Sequence, residues 1–245
     1  MGRASKTTRE KILDAAEALF AERGYYGVSI REITSKAKVE LALPNYYFGR
    51  KQNLFQATIE RRVSIMREER RAALAGSRAR AGGGPIPIEN IIDAFVGPFL
   101  TRSRTGGRGW KNYARLIAQV ANSPSWQANI ISPQFDEVAE EFIDEIRRTL
   151  PDCDPRNVYW GFHFLLGAMI LSAAETGRIE ALSKGLCESA DLEAIHKAMV
   201  PFVTGGFKAL CQPESADAET TGTADSDSKN DPGSPAGRVR EDAAE

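Results

Sequence analysis

Ser29-Ile30-Arg31-Glu32-Ile33-Thr34-Ser35-Lys36-Ala37-Lys38-Val39-Glu40-Leu41-Ala42-Leu43-Pro44-Asn45-Tyr46-Tyr47-Phe48 has the grammar of two short helices joined by a tight turn. Ser29 and Glu32 have capping-box spacing: the hydroxyl accepts from the N–H three residues on, and the carboxylate reaches back to the first N–H. Val28 and Ile33 flank the cap as a hydrophobic staple. The first helix should end near Ala37, with a turn at Lys38-Val39 and a second short helix over Leu41–Tyr47. Two short helices crossing at roughly 90–120° through such a turn form a helix-turn-helix, here over residues 29–48. Such a unit is suited to laying its second helix in the major groove of DNA.

Toward the N-terminus a second capping box, Thr7 with Glu10, opens a helix marked by Ile12, Leu13, Ala16, Leu19 and Phe20 and stopped by Gly24. Toward the C-terminus, Phe48-Gly49-Arg50-Lys51 leads into a longer helix carrying Leu54, Phe55, Ile59, Val63 and Met66. Residues 76–87, with glycines at 82 to 84 and prolines at 85 and 87, read as a flexible loop. Amphipathic stripes then recur: Ile88, Ile91, Ile92, Phe95, Phe99; then Trp110, Tyr113, Leu116, Ile117, Val120; then Phe135, Val138, Phe142, Ile143, Ile146. Arg156–Thr176 has no clean polar face and should be covered on more than one side. The final helix, with Leu192, Ile195, Met199, Phe202, Val203 and Phe207, should kink or break at Pro201 and Gly205-Gly206. No segment alternates like a strand. The expected fold is all-α: an N-terminal three-helix helix-turn-helix domain joined by a long helix to a C-terminal helical bundle, about nine helices in total.

Composition narrows the function. With 42% hydrophobic and 27% charged residues the chain has the balance of a soluble globular protein. Its longest apolar run, Gly161–Ala174, is interrupted by His163 and falls short of a membrane span, and the charged N-terminus lacks a signal-type apolar stretch, so a cytoplasmic location is expected. Cys153, Cys187 and Cys211 are odd in number and form no C-x-x-C, which favours three reduced thiols over a disulfide or zinc site. The net charge of −1 conceals an asymmetry. Residues 1–75 hold 15 basic and 9 acidic side chains, 76–211 hold 14 and 15, and 212–245 hold 3 and 9. A basic head is the footprint of a nucleic-acid-binding module. The Gly82–Gly84 run lacks the Lys-Ser/Thr of a phosphate loop. Neither a Glu-x-x-His pair, a nucleophile elbow nor a dinucleotide fingerprint occurs, so no enzyme, catalytic residue, metal or cofactor is expected.

Across residues 7–66, Ile12-Leu13-Asp14-Ala15-Ala16, Leu19-Phe20, Arg23-Gly24-Tyr25, Ser29-Ile30-Arg31-Glu32-Ile33, Ala37, Val39, Tyr46-Tyr47-Phe48, Lys51 and Leu54 resemble the DNA-binding domain of TetR-family transcriptional regulators. The resemblance implies that Leu41, Ala42, Leu43 and Asn45 lie closest to the base edges, Asn45 being able to pair with adenine and the apolar three to touch thymine methyls. It places Arg31 at a guanine or the backbone, and Tyr46, Tyr47 and Lys51 at phosphates. Three residues depart from the family pattern. Pro44 inside the recognition helix should delay its start or distort it, Glu40 brings a negative charge near phosphate, and Arg50 replaces a usual capping serine.

Phe162-His163-Phe164-Leu165-Leu166-Gly167-Ala168, Met199-Val200-Pro201-Phe202 and the two head segments Ile33–Ala37 and Asn45–Gly49 resemble the fatty-acid-responsive TetR subgroup. That likeness implies a small hydrophobic effector such as a fatty acid or acyl-CoA. Phe95, Phe99, Trp110, Tyr113, Leu116, Phe135, Phe142, Trp160 and His163 are the candidate lining, although each could equally fill a core. The helix over 156–176 and the last helix suggest a four-helix interface across a twofold axis, giving a homodimer that reads double-stranded DNA as two half-sites. The division expected is residues 1–51 for DNA, 52–211 for effector and dimer, and 212–245 as a disordered acidic tail. Other readings are an effector of different aromatic or apolar chemistry, an activator, an interaction module for acidic partners, and a helical catalyst built on His163 or His196 with a carboxylate.

Overall fold

The computed structural model describes residues 6–126 and 132–212; the tail expected from 213 onward lies outside them. The described residues are all-helical, with no strand among them. Eleven helical segments follow in order: α1 Thr8–Arg23, α2 Ile30–Ala37, α3 Leu43–Phe48, α4 Lys51–Arg80, α5 Ile88–Thr105, α6 Arg108–Ala121, α7 Pro124–Trp126, α8 Ser132–Thr149, α9 Pro155–Ala173, α10 Arg178–Ser183 and α11 Leu192–Leu210. The excess over nine comes from α7 and α10, single turns of three and six residues with too few positions for a periodic signature.

Both capping boxes form. Thr7 accepts from the Glu10 N–H while the Glu10 carboxylate accepts from the Thr7 N–H at 2.8 Å, and Ser29 and Glu32 do the same at 2.7 Å. Ile12, Ala16, Phe20 and Ile33 are fully buried, as are Leu54, Phe55 and Ile59 of α4, so three short helices close on the first turns of the long one. Phe20 and Phe55 meet edge to face with centroids 5.0 Å apart, and each such buried ring stabilises by roughly 1.5–3 kcal/mol.

Three expectations need correction. The long helix does not stop before residue 76 but runs to Arg80. Leu74 and Ser77 are buried, and Arg78 holds Glu145 of α8 at 2.6 Å, so packing overrides the local weakness of Gly76. The last helix runs unbroken through Pro201, Gly205 and Gly206. Pro201 sits on the exposed side, where the carbonyl that loses its partner is hydrated, while Met199, Val203 and Phe207 hold the buried side. Finally, Cys153 and Cys211 are disulfide-bonded across 58 residues, with Cα atoms 4.6 Å apart, and only Cys187 is free. The N-terminal end of α9 lies beside the C-terminal end of α11, where Asn157 also donates to the Leu210 carbonyl at 2.7 Å. Count and spacing alone could not foresee that adjacency.

α9 itself has two different sides. Val158, Phe162, Leu165, Met169 and Ala173 face the core, and Gly161 lets Phe207 approach so closely that a Cβ would meet its ring at 2.5 Å. The opposite side is apolar yet open.

Candidate nucleic-acid interface and its internal cavity

Pro44 occupies the first turn of α3, where its missing N–H has no helical partner to lose. The helix therefore begins at Leu43, and Leu41 and Ala42 belong to the preceding turn, not to the helix as expected. Pro44 and Phe48, four residues apart, are buried and anchor α3 to the head. Asn45, Tyr46 and Tyr47 consequently turn outward, Tyr46 being 79% exposed. Leu41, Ala42 and Arg31 are exposed as well, while Leu43 is half-buried against the core. The turn between the helices rests on Lys38, whose φ of 54° is left-handed, and on the Val39 N–H donating to the Thr34 carbonyl at 3.1 Å.

Arg50 caps α4 with its backbone alone, since its side chain makes no cap hydrogen bond. Lys51 lies 4.3 Å from the centroid of the Tyr25 ring, and the partial burial lowers its pKa against the opposing pull of Glu32. Glu32, bound by Ser29 and then by Arg23, is pulled down to about 2. The head is thus a rigid unit presenting an exposed strip of amide, phenol and cationic groups.

Beneath the head is a charged junction. Glu17 of α1 is 2% exposed and accepts from both Arg61, at 2.6 Å, and Arg62, at 2.7 Å, on α4. Arg61 also holds Asp14 at 2.9 Å. α6 seats on this junction through Gly109, where a Cβ would stand 2.0 Å from Arg62 Nη2 and 2.9 Å from Glu17 Oε1. Farther along α6, Gln119 donates to the Ala21 carbonyl at 3.0 Å. Trp126 packs on Tyr25 and Phe55 with centroids 5.0 Å from each, giving the head a third contact with the body.

Within the body lies a cavity of about 680 Å³, in the range of small-molecule sites. Five of the nine candidate lining residues are on its wall: Phe95, Phe99, Tyr113, Phe135 and His163. The other four are elsewhere. Leu116 and Phe142 are core residues, and Trp110 is buried with Arg62 and Arg102 over its ring at 5.1 and 5.3 Å. Trp160 is 56% exposed on the open side of α9. Sequence periodicity separates buried from exposed but cannot separate cavity wall from filled core, which is why these assignments divide.

Met66 and Arg70 of α4 also line the cavity, and neither was among the candidates. Arg70 is only 5% exposed. Its Nε donates to the Phe95 carbonyl at 2.9 Å, its Nη2 reaches Met169 Sδ at 3.5 Å, and its Cζ stands 3.8 Å from the centroid of the Phe95 ring. Burial pulls its pKa down to about 10, with Tyr113 opposing, so the group remains cationic at neutral pH. The sequence did contain a signal. In the series Ile59, Val63, Met66, Arg70, Leu74, the arginine occupies a core-facing position of an apolar stripe.

On the open side of α9, Trp160, Phe164 and Leu171 recur at helical spacing, with Trp160 and Phe164 stacked at 5.9 Å. Phe202 of the adjacent α11 is 75% exposed. A cluster of this kind is unusual for a surface facing water. His196 reaches Asp93 at 2.6 Å and ties α11 to α5 at the surface. Among the described residues no three His, Cys, Asp or Glu side chains gather as a metal site, and no helix is long and apolar enough to cross a membrane.

The likeness to known proteins covers both ends of this arrangement. A model of bacterial regulatory proteins of the tetR family matches residues 12–58, and a model of the tetracyclin repressor-like C-terminal domain matches residues 93–206. The HTH-type transcriptional regulator BetI of Escherichia coli O45:K1 (strain S88 / ExPEC) is 25% identical over 182 residues, covering 74% of this chain and 88% of that protein. Among solved structures, the ketosteroid transcriptional regulator KstR2 of Mycobacterium tuberculosis superposes with a TM-score of 0.58 at 15% identity, over 82% of this chain and 95% of that one. A TetR-like transcriptional regulator from Rhodococcus sp. RHA1 gives 0.55 at 18%, over 84% and 99%. The two structures attest the fold; the matched head, with its outward α3, and the matched body attest more. The chain belongs to the TetR family of DNA-binding transcriptional regulators.

Proposed function

We propose that this regulator is a homodimeric repressor that binds a palindromic operator and is released by a hydrophobic effector such as a fatty acid or acyl-CoA. Residues 1–51 form the DNA-reading part and residues 52–211 the effector-binding and dimerising part. Leu41, Ala42, Leu43 and Asn45 read base edges, Arg31 meets a guanine or phosphate, and Tyr46, Tyr47 and Lys51 hold the backbone. The outward side of α9, with Phe202 of α11, supports a two-helix contribution per subunit to a twofold interface.

The observation that carries the proposal is that α4 and α6 each serve both the cavity and the head. α4 contributes Met66 and Arg70 to the wall and Arg61 and Arg62 to the Glu17 junction. α6 contributes Tyr113 and Ile117 to the wall, and Gly109 and Gln119 to the contact with α1. An effector that separates or tilts these helices moves the head with them. The effector shifts the equilibrium only by its differential affinity for the two arrangements. Fluorescence anisotropy on the intergenic DNA flanking the gene, across a salt series, tests this reading. Palindrome-dependent binding that a long-chain fatty acid or acyl-CoA abolishes is expected; binding to any DNA alike would overturn it.

A further inference from the structure

We propose that the effector carries a free carboxylate on an apolar body, and that Arg70 is the residue that binds it. The inference rests on the reading of this cavity as the effector site and narrows that reading from hydrophobic molecules in general to unesterified organic acids.

Three observations converge on Arg70. First, its charge is enclosed, since the side chain is almost wholly buried at the wall of the cavity. Second, no acid answers it: among the described residues Arg70 forms no ion pair, and Tyr113 is the one titratable group that acts on it electrostatically. Every other arginine buried to a comparable depth would be expected to carry a carboxylate partner, because an isolated charge in a low-dielectric setting is strongly disfavoured. Third, its donors are only partly used. Of five N–H groups, one serves the Phe95 carbonyl and one a weak thioether acceptor. The planar fork that remains matches a carboxylate. Around it, Met66, Phe95, Phe99 and Met169 supply apolar wall for the rest of the molecule. The acid on the wall, Asp136, is solvent-exposed on its helix and does not neutralise Arg70.

The arrangement discriminates among ligands sharing one tail. A carboxylate gains the paired charge; a methyl ester or a thioester of the same tail leaves Arg70 buried and unanswered. Isothermal titration of the full-length protein with laurate, methyl laurate and lauroyl-CoA reads this difference without any variant. Laurate is expected to bind about tenfold to a hundredfold more tightly than the two esters. Arg70→Met should bring laurate to the level of methyl laurate while leaving methyl laurate unchanged or tighter. Lithocholate and its methyl ester, run in parallel, distinguish a ring system from a straight chain; acid over ester is the expected order for whichever body fits.

Equal affinity of acid and ester, tighter binding of lauroyl-CoA, or a folded Arg70→Met that still prefers the acid would each overturn the inference. Should an ester bind and release DNA as well as the acid does, the effector cavity stands and the carboxylate falls. If no compound binds, both fall together.

Discussion

Two buried charges sit on opposite sides of the same long helix and have opposite surroundings. Glu17, carried by α1, is met by two guanidinium groups of α4 at 2.6 and 2.7 Å. Arg70, two turns farther along α4, meets a carbonyl, a thioether and an aromatic ring, but no acid. Both have a polar group in the interior, so burial does not separate them; compensation does. A buried charge whose partners are all within the chain holds two elements in one geometry, and its removal leaves the partners stranded. A buried charge left without a counter-charge contributes little to folding and leaves room for a ligand to supply one. The first belongs to the mechanical junction of head and body, the second to the effector site.

That contrast can be broken or sharpened by substitution. Glu17→Gln should be the most damaging change, lowering stability by about 3 kcal/mol because Arg61 and Arg62 lose the acid between them; chemical denaturation checks it, and a loss under 1 kcal/mol would deny the junction its role. Gly109→Ala comes next, at about 1–2 kcal/mol, since the new methyl group lies on the Arg62 guanidinium and must push it off Glu17. Its signature is coupling: at a temperature where it stays folded, operator affinity should respond less to effector than in the parent. Arg70→Met should behave oppositely to Glu17→Gln in the same denaturation experiment, staying within about 1 kcal/mol of the parent or gaining stability, because a charge without a partner is replaced by a well-packed thioether.

Glu32→Gln is the smallest effect and is read through pH. The folded-state pKa of Glu32 is about 2 against an ordinary 4.5, so its stabilisation is complete above the ordinary value and disappears as pH falls toward 2. Thermal unfolding of parent and variant should therefore differ at neutral pH and converge on acidification. A gap that stays constant with pH would show that the carboxylate charge is not what stabilises the cap.

The head could be read almost entirely from sequence because its determinants are local. Thr7 with Glu10 and Ser29 with Glu32 are three-residue patterns, and both form as expected. Pro44 was read as a threat to the recognition helix, and it instead moves the start of that helix to Leu43. The body was readable only as far as periodicity goes. Phe142 and Phe95 belong to similar stripes, yet Phe95 borders the cavity and Phe142 does not, a difference set by how α5, α8 and α9 meet. The Cys153–Cys211 bond has the same origin, since 58 residues separate partners that helix packing brings together. Glu17 and Arg70 were the readable exceptions: each is a charged residue at a core-facing position of an apolar helix, one between Leu13 and Phe20 and the other between Met66 and Leu74.

The central claim is that cavity and DNA-binding head are coupled through α4 and α6, and linkage gives its most direct test. Isothermal titration of laurate into the free protein and into its operator complex compares the two affinities. Coupling requires that operator and effector weaken each other by the same factor, so binding at least tenfold weaker in the complex is expected. Equal affinities in the two titrations would contradict the account, because a ligand with no preference between states shifts nothing.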